Sequence, residues 1–188
     1  GYHGLRFNSN GRCIENPLGP ITSALNVRAY ACVERYAGLW IWLGDSEADP
    51  TKIPDFSFID RTSPEARAKG YLRTKANYRL MVDNIMDLTH ADYLHASTLG
   101  GGINTRAKAD VTQGENSVTV TWTAYDDLLA PLHAAALGPE VTHGDLLNSV
   151  LWEPPGNMRQ RVVLARSGEM DSNPVDSITC HVMTPETE

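Results

Sequence analysis

Four chemically capable side chains fall within one short stretch, Asn84-Ile85-Met86-Asp87-Leu88-Thr89-His90-Ala91-Asp92-Tyr93-Leu94-His95: Asn84, Asp87, His90 and His95. They sit among apolar residues, and an amide, a carboxylate and two imidazoles are costly to bury unless they share a purpose. On an α-helix Asn84, Asp87 and His90 step back about 60° each and project to one broad side. His90 and His95 diverge by about 140° on an ideal helix. Both rings can meet one ion only where the helix widens or bends, as at a π-bulge. Two neutral imidazoles and a carboxylate on one side of a metal leave open positions opposite, the arrangement with which non-haem Fe(II) binds and activates O2. The competing reading is a solvent-facing polar stripe. It would prevail for one histidine, and it weakens when four such groups come together.

The elements around this stretch are those of a globular protein. The chain has 188 residues, 41% of them hydrophobic and 21% charged, which excludes global disorder and allows one large domain or two small ones. Sixteen Lys and Arg against 23 Asp and Glu give a net charge of -7. A nucleic-acid or anionic-membrane surface is therefore not expected, since both need a basic face. No apolar run reaches the ~18 residues of a membrane span. The chain opens in mid-turn at Gly1-Tyr2-His3-Gly4 and stops directly after an apolar strand-like stretch, so further sequence is expected on both sides.

Residues 1–44 read as β. Leu5–Phe7 and Arg12–Glu15 flank Asn8-Ser9-Asn10-Gly11, a tight-turn signal. Asn26–Glu34 is expected to pair with Leu39–Leu43, in which aliphatic and indole side chains alternate and both faces are apolar, so that strand should be sandwiched. Residues 45–70 are polar and punctuated by Pro50, Pro54, Pro64 and Gly70, as in an interdomain connection. Beyond them Tyr71–Asn77 reads as a strand, Tyr78 to about Ala96 carries helical spacing, and Val111–Tyr125 reads as a strand pair around Gly114-Glu115-Asn116. A short helix within Asp126–Leu137 and strands at Ser149–Trp152, Gln160–Ala165 and Ser177–Met183 follow. A helix set against antiparallel strands is an α+β layer architecture. Gly100-Gly101-Gly102 is no phosphate loop, since neither a preceding strand nor a following Lys-Ser/Thr accompanies it. Cys13, Cys32 and Cys180 lack any CxxC or CxH spacing and read as buried small hydrophobes in a reducing, cytoplasmic setting.

Two segments together carry a resemblance. Gly1-Tyr2-His3-Gly4-Leu5-Arg6-Phe7 resembles the second ligand loop, Cys-x-x-His-Gly, of a Rieske [2Fe–2S] domain, in which two Cys hold one iron and two His the other. Asn84-x-x-Asp87-x-x-His90-x(4)-His95 resembles the mononuclear iron motif of Rieske non-haem iron oxygenases. The order of the two motifs, Leu25-Asn26-Val27-Arg28, the Leu-Trp-Ile-Trp strand, Ile53-Pro54-Asp55-Phe56 and Thr184-Pro185-Glu186-Thr187 extend the likeness over nearly the whole chain. The subgroup resembled is the vanillate O-demethylase and dicamba monooxygenase type.

The resemblance implies a partial all-β Rieske-type domain over 1–50, a linker over 51–70, and part of a helix-grip, START-like catalytic domain over 71–188. It implies that His3 is a cluster ligand and that His90 and His95 bind the catalytic iron. Asp87 would link a catalytic-iron histidine to a cluster histidine across a subunit boundary, Asn84 would stand near that iron, and His181 would hydrogen-bond substrate. The first Cys-x-His loop, the Cys before Gly1 and a third, carboxylate ligand after Glu188 are not in this sequence. The implied activity is O2-dependent O-demethylation or hydroxylation of a small aromatic compound by the oxygenase component of a monooxygenase. Electrons would come from NAD(P)H through a reductase or ferredoxin and pass from the [2Fe–2S] cluster to Fe(II), in a homotrimer. Ring hydroxylation is the alternative within enzymes. A non-enzymatic helix-grip module that binds an apolar ligand is the rival outside them.

Overall fold

A computed structural model describes residues 2–186. The chain divides into two units, Gly1–Arg61 and Thr62–Glu188, a boundary that falls within the polar 45–70 stretch.

The first unit holds two hairpins. β1 (Arg6–Phe7) pairs antiparallel with β2 (Cys13–Glu15), and β3 (Cys32–Arg35) with β4 (Gly38–Ile41). The first turn closes where the Gly11 N–H donates to the Asn8 carbonyl at 3.0 Å, with Gly11 at φ +74°, a conformation glycine adopts without steric cost. Phe56 is 2% exposed and packs 6.1 Å from the Trp40 ring, which holds α1 (Phe58–Arg61) to this unit. The expected sandwich is not formed among the described residues, for Leu39 is 62% and Ile41 53% exposed. A two-stranded ribbon has only one layer, and Phe56 covers only its tryptophan side. Cys13 is buried as expected, Cys180 half-buried, and Cys32 exposed on the same ribbon.

The second unit is α+β: a five-stranded antiparallel sheet in the order β5-β6-β7-β8-β9 with short helices on one face. The strands are β5 (Lys108–Gln113), β6 (Val118–Leu128), β7 (His143–Glu153), β8 (Asn157–Arg166) and β9 (Val175–Val182). The β5–β6 hairpin turns at Gly114, as its spacing predicts, with the Gly114 N–H donating to the Ser117 carbonyl at 2.9 Å. Tyr71–Asn77, expected as a strand, joins no sheet among the described residues; Arg73 is ion-paired with Glu186, and Tyr71 and Leu72 stand almost fully exposed.

Pleating sends alternate residues to one face. Register puts Val120, Trp122, Val150 and Met158 on the same face, where they bury against Val82 and Leu88 and are joined by Ile85 and Met86. α2 (Tyr78–Met86) contributes Val82, Ile85 and Met86 to this layer. Farther along that face Ala124, Leu146 and Leu164 bury with Ile103 of α4 (Ile103–Arg106) and with Leu129, Ala130 and Val141 around α5 (Pro131–Leu137). Trp122 is therefore core, and Trp152 packs beside it with its Nε1–H on the Pro155 carbonyl at 3.3 Å.

His133 on α5 is 7% exposed, and its Nδ1 has no hydrogen-bond partner among the described residues. Burial pushes its pKa below the ordinary histidine value. The unfolded chain, with a pKa of about 6.5, then takes up a proton more readily than the native state. This contribution to stability is complete above about pH 6.5 and is lost as pH falls from there toward the folded pKa. His133→Met should therefore lose less thermal stability than the unsubstituted protein between pH 7.5 and pH 5, as read by melting temperature at both pH values.

Candidate metal centre

α2 ends at Met86, and Asp87 leaves the helix at φ -128°, ψ 99°. The chain resumes as a 3-10 turn over Leu88–His90, then as the single α-turn α3 (Ala91–Leu94), with His95 at its C-cap. The bend that two histidines five apart require is thus made by a full break of the helix, without a π-bulge. The break has a local cause. The Asp87 carboxylate caps the new turn, its Oδ1 accepting from the Thr89 N–H at 3.0 Å and from the Thr89 Oγ1–H at 2.7 Å. A short acceptor with extended backbone just before a helical turn is what an N-cap supplies. Because the helix stops at Asp87, Asn84 lies exposed in its last turn and does not share one continuous helical face with His90.

The turn brings the two rings together. Their centroids are 5.6 Å apart with planes at 75°, within reach of two imidazoles that share one ion through bonds of about 2.1 Å. His90 Nδ1 lies 2.7 Å from the Asp87 carbonyl oxygen. A carbonyl can only accept, so Nδ1 carries a proton, which leaves Nε2 as the nitrogen placed to bind a metal. Hydrogen bonds from Thr89, first its hydroxyl and then its N–H, together with nearby His90, hold the Asp87 carboxyl below the usual carboxylate pKa. Both bonds from Thr89 fall on Oδ1.

No third His, Cys, Asp or Glu joins these two rings among the described residues. Asp176, a carboxylate on β9, is held by Arg161 at 2.6 Å. The donor set in hand fits two ligands of a nitrogen-and-carboxylate iron site and leaves the carboxylate to be supplied from elsewhere.

His3 belongs to the first unit. It is exposed and takes φ 53°, ψ 22°, followed by Gly4 at φ +74°. Two successive left-handed residues make a tight turn, an uncommon conformation for a residue with a side chain. Gly1 and Thr187 of the sequence motifs lie outside the described residues.

His181 sits on β9 opposite Met158, on the sheet face that α2 covers. Its Nε2 is buried with no hydrogen-bond partner among the described residues, and burial lowers its pKa, so the ring is neutral near pH 7. Sequence reading missed its neighbours. Gln160 and Thr179 pair across β8 and β9 on that face, and Gln160 Nε2 donates to buried Asn148 Oδ1 at 3.1 Å. That these amides, the Ser177 and Thr179 hydroxyls and the imidazole share one face becomes visible only when strand register is known.

The chain matches the vanillate O-demethylase oxygenase C-terminal domain over residues 74–188, a span that contains both histidines. It belongs to that family. It is 36% identical over 191 residues to the oxygenase component of dicamba O-demethylase from Stenotrophomonas maltophilia, covering all of this chain and 56% of that protein. A crystal structure of dicamba monooxygenase bound to 3,6-dichlorosalicylic acid superposes with a TM-score of 0.90 at 35% identity, over 100% of this chain and 56% of that one. Another, holding non-haem iron and dicamba, gives a TM-score of 0.75 at 32% identity, over 100% and 54%. The chain thus spans a little over half the length of the relatives it matches. The α+β sheet layer is the catalytic-domain fold of this oxygenase family.

Sequence also missed what supports the histidine turn from outside. Gly100 packs so closely that a Cβ there would stand 2.7 Å from the Ala96 Cα and 2.8 Å from the Ala91 carbonyl oxygen. Gly100→Ala should destabilise the protein by about 1–3 kcal/mol through overpacking. Gly70→Ala, whose Cβ meets nothing within 4 Å, should change stability by less than about 0.5 kcal/mol. Urea denaturation of the two variants side by side checks the contrast.

Proposed function

We propose that the protein containing this chain is the oxygenase component of a Rieske-type non-haem iron monooxygenase acting on a small aromatic substrate by O-demethylation. The observation that carries the reading is the paired His90 and His95 rings, with the His90 proton fixed on Nδ1 by the Asp87 carbonyl. His90 and His95 would hold a mononuclear iron, with a carboxylate from sequence after Glu188 as third ligand. His3 would be one of four ligands of a [2Fe–2S] cluster, the others lying before Gly1. The iron would supply O2 activation for attack on a substrate C–H bond.

In this reading 1–50 is the later part of the Rieske domain, 51–70 a linker, and 71–188 the first part of a helix-grip domain whose sheet face and α2 enclose the substrate. His181 would present its buried, neutral ring to a polar substituent of the aromatic ring, while Val150, Met158 and Trp122 keep that face dry. Aromatic O–CH3, O2, two electrons and two protons would give the phenol, formaldehyde and water. The electrons would come from NAD(P)H through a separate reductase or ferredoxin. The same site would support ring hydroxylation, and product analysis distinguishes the two: formaldehyde appears only with demethylation.

In the complete protein we expect about three irons per subunit, two in the cluster and one mononuclear. His90→Ala and His95→Ala should each remove the mononuclear iron and formaldehyde release while leaving the red cluster, by iron analysis and visible absorbance. Bleaching of the cluster with the mononuclear iron retained would overturn these roles, and a complete protein with no iron at all would favour a ligand-binding module.

Asp87 would bridge two subunits of a homotrimer, its carboxylate accepting from a cluster histidine of one and holding the iron site of the next, a heterologous contact that closes as a ring. Asp87→Asn keeps the shape and loses the charge. It should leave iron content and assembly intact while slowing electron passage to the mononuclear iron, read as a cluster that fails to reoxidise at the wild-type rate in single turnover.

A further inference from the structure

Among the described residues the His95 imidazole makes no side-chain hydrogen bond that would orient it, and the ring it packs against is that of His90. Its direction therefore depends on the backbone of 91–95, and α3 is a single turn that cannot hold itself. From the C-terminal side the His95 carbonyl accepts from the N–H groups of Thr98, Leu99 and Gly100, each at 2.9 Å. From the N-terminal side Leu88 and Ala91 are buried, and a side chain adds a polar link to the next helix. Asp92 Oδ1 accepts from the Gly102 N–H and from Asn104 Nδ2, both at 3.0 Å, and Oδ2 from the Thr105 N–H at 2.7 Å. The other end of that link is rigid. Asn104 is 5% exposed and also donates to the Leu99 carbonyl at 3.0 Å. Ile103 beside it is 0% exposed in the sheet-face core. Arg106 ties α4 to β6 through both Asp127 oxygens.

We propose that Asp92 is a positioning residue for the metal pair: by fastening the His90–His95 turn to α4, it sets where the His95 imidazole stands relative to His90. The inference rests on the iron-binding reading above. Metal–ligand distances tolerate only about 0.2 Å of error, so a turn released on one side shifts its ligand beyond that tolerance without unfolding. Outer supports of metal ligands typically change metal affinity 10–100-fold when removed. The competing account is that Asp92 merely caps α4, in which case its loss lowers stability and leaves bound metal as it was. Asp92→Asn keeps the size but turns an amide N–H₂ toward donors that need an acceptor, and Asp92→Ala removes all three bonds.

The test uses the complete protein with its cluster in place and the mononuclear site emptied, titrated with Co(II). Affinity is read by equilibrium dialysis and the ligand field by low-temperature EPR of bound Co(II), the oxidised cluster being silent. Both Asp92 variants should bind Co(II) at least tenfold more weakly and show an altered Co(II) EPR spectrum at saturation. Val163→Ala, a core deletion in β8 that leaves every Asp92 bond in place, should lower the melting temperature with affinity and spectrum unchanged. Wild-type affinity and spectrum in both Asp92 variants would overturn the positioning role alone. Equal Co(II) binding by the unsubstituted protein and by His90→Ala would overturn the metal reading and this inference with it.

Discussion

The hydrogen bond from His90 Nδ1 to the Asp87 carbonyl is the constraint on which the centre depends. That carbonyl is available because α2 stops at Met86 and the next turn starts afresh at Leu88. In an unbroken helix the same oxygen would accept from the N–H four residues on. One residue therefore does two things with two parts of itself. The Asp87 side chain caps the turn through Thr89, and its backbone fixes the histidine tautomer.

Neither flanking piece would persist alone. α2 has nine residues and α3 four, and isolated helices shorter than about 12–15 residues are marginal in water. α2 is held because Val82, Ile85 and Met86 bury against Trp122, Val150 and Met158. α3 is held by polar means, the Asp92 carboxylate and the close approach of Gly100. The pair of histidines thus spans a joint between an apolar support and a hydrogen-bonded one, and the two supports meet on the same face of the same sheet.

The sheet divides the labour between its faces. The face under α2 carries Asn148, Gln160, Thr179 and His181 among its apolar residues, with Ser177 and Gln113 toward its edges. The other carries Thr121 against Ser149 and Arg161 against Asp176. Polar groups on a covered face are expensive unless satisfied. Gln160 donates to Asn148, and His181 Nε2 has no hydrogen-bond partner among the described residues.

The sequence by itself was enough to single out His90 and His95, whose rings the fold brings together, but not for the burial it implied: Asn84, Asp87 and His95 are exposed. It was also enough for the β5–β6 hairpin at Gly114 and for the α+β layering, since hydrophobic period and turn residues act over a few positions. It mistook Tyr71–Asn77 for a strand, because strand-like composition does not supply a pairing partner. It took the ribbon at Leu39–Ile41 for a sandwiched strand, because alternation says which faces are apolar and not what lies over them. Only the tertiary structure decided that the helix breaks at Asp87, since a cap competes with helix propagation and the outcome depends on what α2 is buried against. Only the tertiary structure, too, brought Asp92 to α4, ten residues and a glycine turn away, and aligned Asn148, Gln160, Thr179 and His181 on one face. Those juxtapositions come from strand register and from backbone meeting backbone, and neither quantity is written in any local run of residues.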